Sequence, residues 1–174
     1  MPKLTRGTVI GIDYGLKQMG LACGEIEIGV AHPLQTLKET KQAKKLAYLL
    51  QLQQEWLPIA FVMGIPLINS HTLSDFARVC VNFAHKLVRR SELPVYLIDE
   101  SYSSCNAEIM LKECSFALSQ HKLALDMFSA QGLLQAFFTD GSYHCIKPSS
   151  TLTATLDICC LLYTSPSPRD KRQS

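Results

Sequence analysis

Apolar residues at the start of this chain come in short runs, and further along they recur at helical spacing. Thr8–Asp13 reads as a β-strand and Gly20–Gly24 as a second. Glu27–Ala31 reads as a third, with Gly24-Glu25 opening a tight turn, so that the three form an antiparallel meander. Then the period changes. Ala43, Leu46, Ala47 and Leu50 fall at i, i+3, i+4 and i+7, the spacing of an amphipathic helix face. Lys41, Lys44 and Lys45 lie mostly off that face and read as solvated, with phosphate contact as the alternative. Pro58 ends the helix.

Ile59-Ala60-Phe61-Val62-Met63-Gly64 is continuously apolar, the pattern of a strand buried on both faces. Thr72 and Asp75 resemble a capping box opening a helix with the stripe Phe76, Val79, Cys80, Phe83 and Leu87. Val95–Ile98 is another buried strand, running into Asp99-Glu100. Ser103-Ser104 offers an N-cap for a helix beginning near Asn106. A last helix spans 123–139, with Ala130, Leu133, Leu134 and Phe137 on its apolar face, and Gly141 stops it. Strands first, then alternating helix and strand, predict an α/β domain with a mixed sheet flanked by helices.

Composition narrows the class. With 174 residues, 47% apolar and 18% charged, the chain fits one globular domain. No apolar run approaches the ~20 residues of a membrane-spanning helix. The start, Met1-Pro2-Lys3-Leu4-Thr5-Arg6, lacks a signal-peptide core, so no membrane association and a cytoplasmic location are expected. Seven cysteines without a Cys-x-x-Cys pair read as buried free thiols rather than a zinc site. The stretch 161–174 replaces apolar periodicity with serine, proline and charge, and resembles a translated sequencing adapter. This reading divides the chain into a domain over 1–145, an extension over 146–158 and a non-native or disordered tail over 159–174. The tail carries Arg169, Lys171 and Arg172 against Asp170; without it, acidic and basic residues balance. A neutral body argues against strong non-specific nucleic-acid binding, while leaving room for a local basic patch.

Chemistry enters through three acidic residues. Asp13 ends the first strand between Gly11 and Gly15, and Glu100 follows the last buried strand. If those strands are neighbours running the same way, both carboxylates sit at one sheet edge, where α/β sheets bind ligands. Asp126 lies on the same stripe as Ala130, Leu133 and Phe137, where an ionised carboxylate is costly unless compensated. A helix-terminus role is the plainer reading of Asp126. Carboxylates around Mg²⁺, or Mn²⁺ in its place, suit phosphoryl chemistry.

Four stretches together resemble the YqgF/RuvX family, RNase H-like proteins related to Holliday-junction resolvases. They are Gly11–Lys17 with Gly20-Leu21-Ala22; Val62–Leu67; Asp99-Glu100 with Ser103-Ser104; and Lys122 with Asp126 and Ser129-Ala130. The resemblance covers about residues 7–143. It implies an RNase H-like fold, with the five strands read above in a mixed sheet, and Asp13, Glu100 and Asp126 as catalytic and metal-binding residues. It further implies a nuclease trimming the 5′ end of precursor 16S ribosomal RNA, or acting on branched DNA, as a monomer or homodimer. A non-catalytic RNA-binding maturation factor is the competing reading. Actin-like sugar kinases also open on strand–Gly-x-Asp-x-Gly, but need a second domain. Gln18 and Ser101 stand where many members carry arginine, which weakens expected phosphate contacts. Lys17, Arg78 and Lys122 remain as candidate nucleic-acid contacts or solvated lysines and arginine. His121 is a candidate proton-transfer group, and Tyr14 either stacks on a base or packs in the core.

Overall fold

The computed structural model describes residues 6–66, 74–99, 121–140 and 143–148, with the side chains of 121–124 and 140 outside that set. Within these, six strands form one sheet in the order β3-β2-β1-β4-β5-β6. β1 is Thr8–Tyr14, β2 Gln18–Glu25, β3 Val30–Lys38, β4 Ala60–Ile65, β5 Val95–Asp99 and β6 His144–Ile146. β1, β4 and β5 run parallel, while β2 and β6 run antiparallel to their neighbours. Five strands were expected; the sixth is the short edge strand β6. It crosses position 145/146, where the sequence suggests a domain edge, and Ile146 is buried opposite Val95.

Among the described residues three helices, α1 (Gln42–Trp56), α2 (Asp75–Ser91) and α3 (His121–Asp140), cover the sheet. Strand side chains alternate between faces, and the core divides accordingly. Ile10, Ile12, Tyr14, Phe61, Met63 and Leu97 pack with α1 and α2. Val9, Ala22, Val62, Tyr96 and Ile98 pack with Ala130, Leu133, Leu134 and Phe137 of α3. Tyr14 is 1% exposed and its ring lies 4.5 Å from that of Phe83, so it is a core residue and cannot stack on a base.

Several local features differ from expectation for identifiable reasons. The turn before β3 lies at 26–29 rather than Gly24-Glu25, with Gly29 at φ +69 and its amide donating to the Glu25 carbonyl. β3 therefore begins at Val30. The buried positions of α1 are Lys45, Leu49 and Leu52, not the stripe through Ala43 and Ala47, which are exposed. The cap of α2 is Ser74, whose Oγ accepts from the Ala77 amide at 3.0 Å; Thr72 lies outside the described residues. Ser103, Ser104, Asn106 and the tail also lie outside them. Of the described cysteines, Cys23, Cys80 and Cys145 are free thiols, and only Cys80 is fully buried. No helix among the described residues is long and apolar enough to cross a membrane.

Candidate metal centre

The parallel arrangement of β1, β4 and β5 brings their carboxyl ends to one edge of the sheet, but β4 separates β1 from β5. The two strands carrying Asp13 and Asp99 are thus not direct neighbours. Asp13 follows Val9 and Gly11 on the α3 face. Glycines let α3 approach there: a Cβ at Gly11 would lie 3.0 Å from both the Ala130 carbonyl oxygen and Leu134 Cβ.

One helical turn earlier, the contact is tighter. Gly20 is the register partner of Asp13 across β1 and β2. A Cβ on Gly20 would overlap the Asp126 carbonyl group and lie 3.0 Å from Asp126 Cβ. The backbone of Asp126 therefore rests on the residue opposite Asp13. Both aspartates occupy one face and one edge of the sheet, and Asp126 Oδ2 is closed off from solvent. Hard carboxylate oxygens fit a hard divalent cation such as Mg²⁺ or Mn²⁺. Among the described residues no third His, Cys, Asp or Glu completes a metal-binding group. Asp99 closes β5, and alternation from Val95 and Leu97 puts it on the opposite face. Glu100 lies outside the described residues.

The sequence reading missed one residue beside this centre. Lys45 is wholly buried, and its ammonium donates to the carbonyl of Gly15 and, at 3.0 Å, to that of Leu16. It also lies 4.7 Å from the centre of the Tyr14 ring, a cation–π contact. Burial, the dominant cause, holds its pKa below the ordinary lysine value, and Glu39 partly opposes that shift. Lys45 thus ties down the backbone that follows Asp13. The Gly15 amide adds a 3.0 Å bond to the Gln18 carbonyl, closing the loop on itself. The solvated role expected for Lys45 is overturned because Leu49 and Leu52, four and seven residues on, set the buried face. The only legible signal was this i, i+4, i+7 spacing.

The other candidates are dispersed. Lys17 is exposed in the β1–β2 loop. Arg78 is exposed on the first turns of α2, with its Nη1 3.7 Å from Asp75 Oδ1. α2 covers the face opposite α3, so Arg78 does not share the face of the two aspartates. The side chains of His121 and Lys122 lie outside the described residues.

A family model described as "RuvX: Holliday junction resolvase" matches residues 7–140. A Neisseria meningitidis protein named as a candidate pre-16S rRNA nuclease is 36% identical over 147 residues, covering 84% of this chain and 97% of that protein. A Thiobacillus denitrificans protein of the same name is 40% identical over 134 residues, covering 77% and 92%. Among solved structures, T. thermophilus RuvC in complex with a Holliday junction substrate aligns with a TM-score of 0.56 at 15% identity, covering 80% of this chain and 99% of that one. At that identity the likeness speaks for the fold alone, and the six-stranded mixed sheet with its flanking helices is RNase H-like.

Proposed function

This chain belongs to the RuvX family, and on that premise we propose that it is a metal-dependent nuclease that trims the 5′ end of precursor 16S ribosomal RNA. Asp13, Asp126 and Glu100 are its proposed carboxylate ligands, for Mg²⁺ or Mn²⁺. The observation that carries the reading is the seating of Asp126 on Gly20, directly across from Asp13. Asp126 also heads the apolar stripe of Ala130, Leu133 and Leu134, where a nearby cation would favour its ionised form. When bound, the metal supplies Lewis acidity that activates water and neutralises charge on a phosphodiester.

The protein's own part is positioning. β1 and α3 set the places of the two aspartates through backbone packing. Lys45 holds the loop after Asp13, and Lys17 in that loop is a proposed phosphate contact, as is Lys122. The same reading places the protein in the cytoplasm, as a monomer or homodimer.

The test is cleavage of an end-labelled precursor RNA. Asp13→Asn, Glu100→Gln and Asp126→Asn are each expected to abolish an EDTA-sensitive cut while keeping the wild-type circular dichroism spectrum. Mg²⁺ should raise the melting temperature of the wild type and leave that of Asp13→Asn unchanged. Full activity in all three variants overturns the reading. The family model's own description favours a second reading, resolution of branched DNA. Cutting of a four-way junction with no cut in the RNA would select it.

A further inference from the structure

Lysines from three elements line the sheet edge at which the paired aspartates sit, Lys38 on the face of Asp13 and Lys41 and Lys44 at the start of α1, which covers the other face. In the register of the sheet, Asp13, Gly20 and Thr36 form one row across β1, β2 and β3. Lys38 stands two residues beyond Thr36, opposite Gln18, and alternation puts it on the same face as Asp13. The next residue, Glu39, donates its amide to the Lys17 carbonyl at 3.2 Å, which brings the β1–β2 loop to the end of β3. Lys41 and Lys44 then open α1. Lys17, Lys38, Lys41 and Lys44 are all exposed.

The acid in this corner, Glu39, offsets one of these four charges. Glu39 Oε1 accepts from the amides of Thr40 and Lys41, both at 2.8 Å, and Oε2 lies 3.5 Å from Lys44 Nζ. It is committed to turning the chain into α1. The first turn of α1 holds no acidic residue. Lys41 and Lys44 therefore face the positive end of the helix dipole, an arrangement unfavourable for the helix and favourable for an anion. With the buried charge of Lys45 beneath, positive potential concentrates here on a molecule whose body is otherwise balanced.

From these placements we infer that Lys38, Lys41 and Lys44, continuing from Lys17, form a track for the sugar–phosphate backbone of a single-stranded RNA segment leading to the carboxylates. The row from Asp13 to Thr36 spans two strand spacings, about 10 Å. A strand crossing the sheet edge from the carboxylates reaches Lys38 within its first few phosphates. Lysine ammonium groups on flexible stems suit this contact, which follows backbone charge and reads no base. The inference rests on the nuclease reading for the identity of the strand, and on the lysines for its path.

Binding separates the two. A labelled single-stranded RNA from the precursor 5′ leader is titrated in EDTA, so that no cut occurs, at KCl from about 50 to about 200 mM. The comparison is between wild type, the Lys38→Gln/Lys41→Gln/Lys44→Gln variant and its all-arginine counterpart. Three lost phosphate contacts should make the slope of log affinity against log salt shallower by about 2 in the glutamine variant. Over that salt range the wild type should lose about 20-fold more affinity than the glutamine variant. The arginine variant should keep the wild-type slope. An unchanged slope in the glutamine variant overturns the track, as does an arginine variant that behaves like glutamine. A slope loss on a four-way DNA junction with none on RNA overturns RNA as its occupant. A wild type that binds with the steep slope and never cuts retires the nuclease reading and leaves the track standing.

Discussion

Lys45 shows how one residue can be misread and why. A fully buried ammonium is expensive unless its donors find acceptors. Here two carbonyls and a tyrosine ring receive it. Lys45→Met should fill the space but leave the Gly15 and Leu16 carbonyls short of a donor. We expect a loss of about 1–3 kcal/mol in urea unfolding, with the slope against urea unchanged. Amide hydrogen exchange at residues 15–17 should speed up, while the amides of β4 keep their protection. Wild-type exchange in that loop would show that Lys45 does not hold it. The sequence hid this residue because Ala43 and Ala47 complete a helical pattern without needing burial, and because a lysine's long stem is equally at home on either side of a surface. The place of Asp13 near the end of β1 was legible for the opposite reason: an acid between glycines closing an apolar run marks a strand end plainly.

At the scale of the element, α3 is placed by what the sheet lacks. Gly11 and Gly20 admit its backbone, and a Cβ on Gly24 would come within 2.8 Å of the Phe138 ring. Gln131 and Gln135 fix the helix along the hairpin: Gln135 accepts from the Ala31 amide and donates to the Gly29 carbonyl, and Gln131 donates to the Ala31 carbonyl. Gly20→Ala meets backbone rather than a movable side chain, so α3 must shift. Overpacking of this kind costs about 1–3 kcal/mol. Because the shift begins at Asp126, the rise in melting temperature expected with Mg²⁺ under the proposed function should shrink further than the lost stability accounts for. A variant destabilised to that degree with a full Mg²⁺ response would separate the helix seat from the proposed metal centre. The apolar face of α3 and the place of Asp126 on it were readable from spacing alone. That Gly20 is what Asp126 rests on was not, since it depends on the pairing of β1 with β2 and on which face α3 covers. β3 was misplaced because Pro33, Gln35 and Lys38 give an edge strand too polar and irregular for alternation to reveal.

At the scale of the molecule, and among the described residues, the order of the elements from β1 to α3 was legible and the edges were not. Buried strands such as β4 and β5 announce themselves by continuous apolar runs, whereas β6 has three residues and joins the sheet only through its pairing with β5. That pairing sets an alkaline limit on stability. Tyr96 and Cys145 face each other across β5 and β6, and burial raises the pKa of both. The folded state thus keeps protons that the unfolded chain releases. Their contribution is full below the ordinary cysteine value of 9.0 and is lost as pH climbs from there. Tyr96→Phe should flatten the decline in unfolding free energy above about pH 10; an unaltered decline would assign it to other groups. The glutamines of α3 have a separate effect at the far side of the sheet. A free strand edge is a template on which another chain can add a strand, the first step towards fibres. Around the hairpin tip, Ala31 has both backbone groups engaged by glutamine amides, and Pro33 has no amide hydrogen to offer. The edge of β3 is therefore closed to recruitment where it begins, and contact between copies of this protein must use side chains rather than extend the sheet from that end.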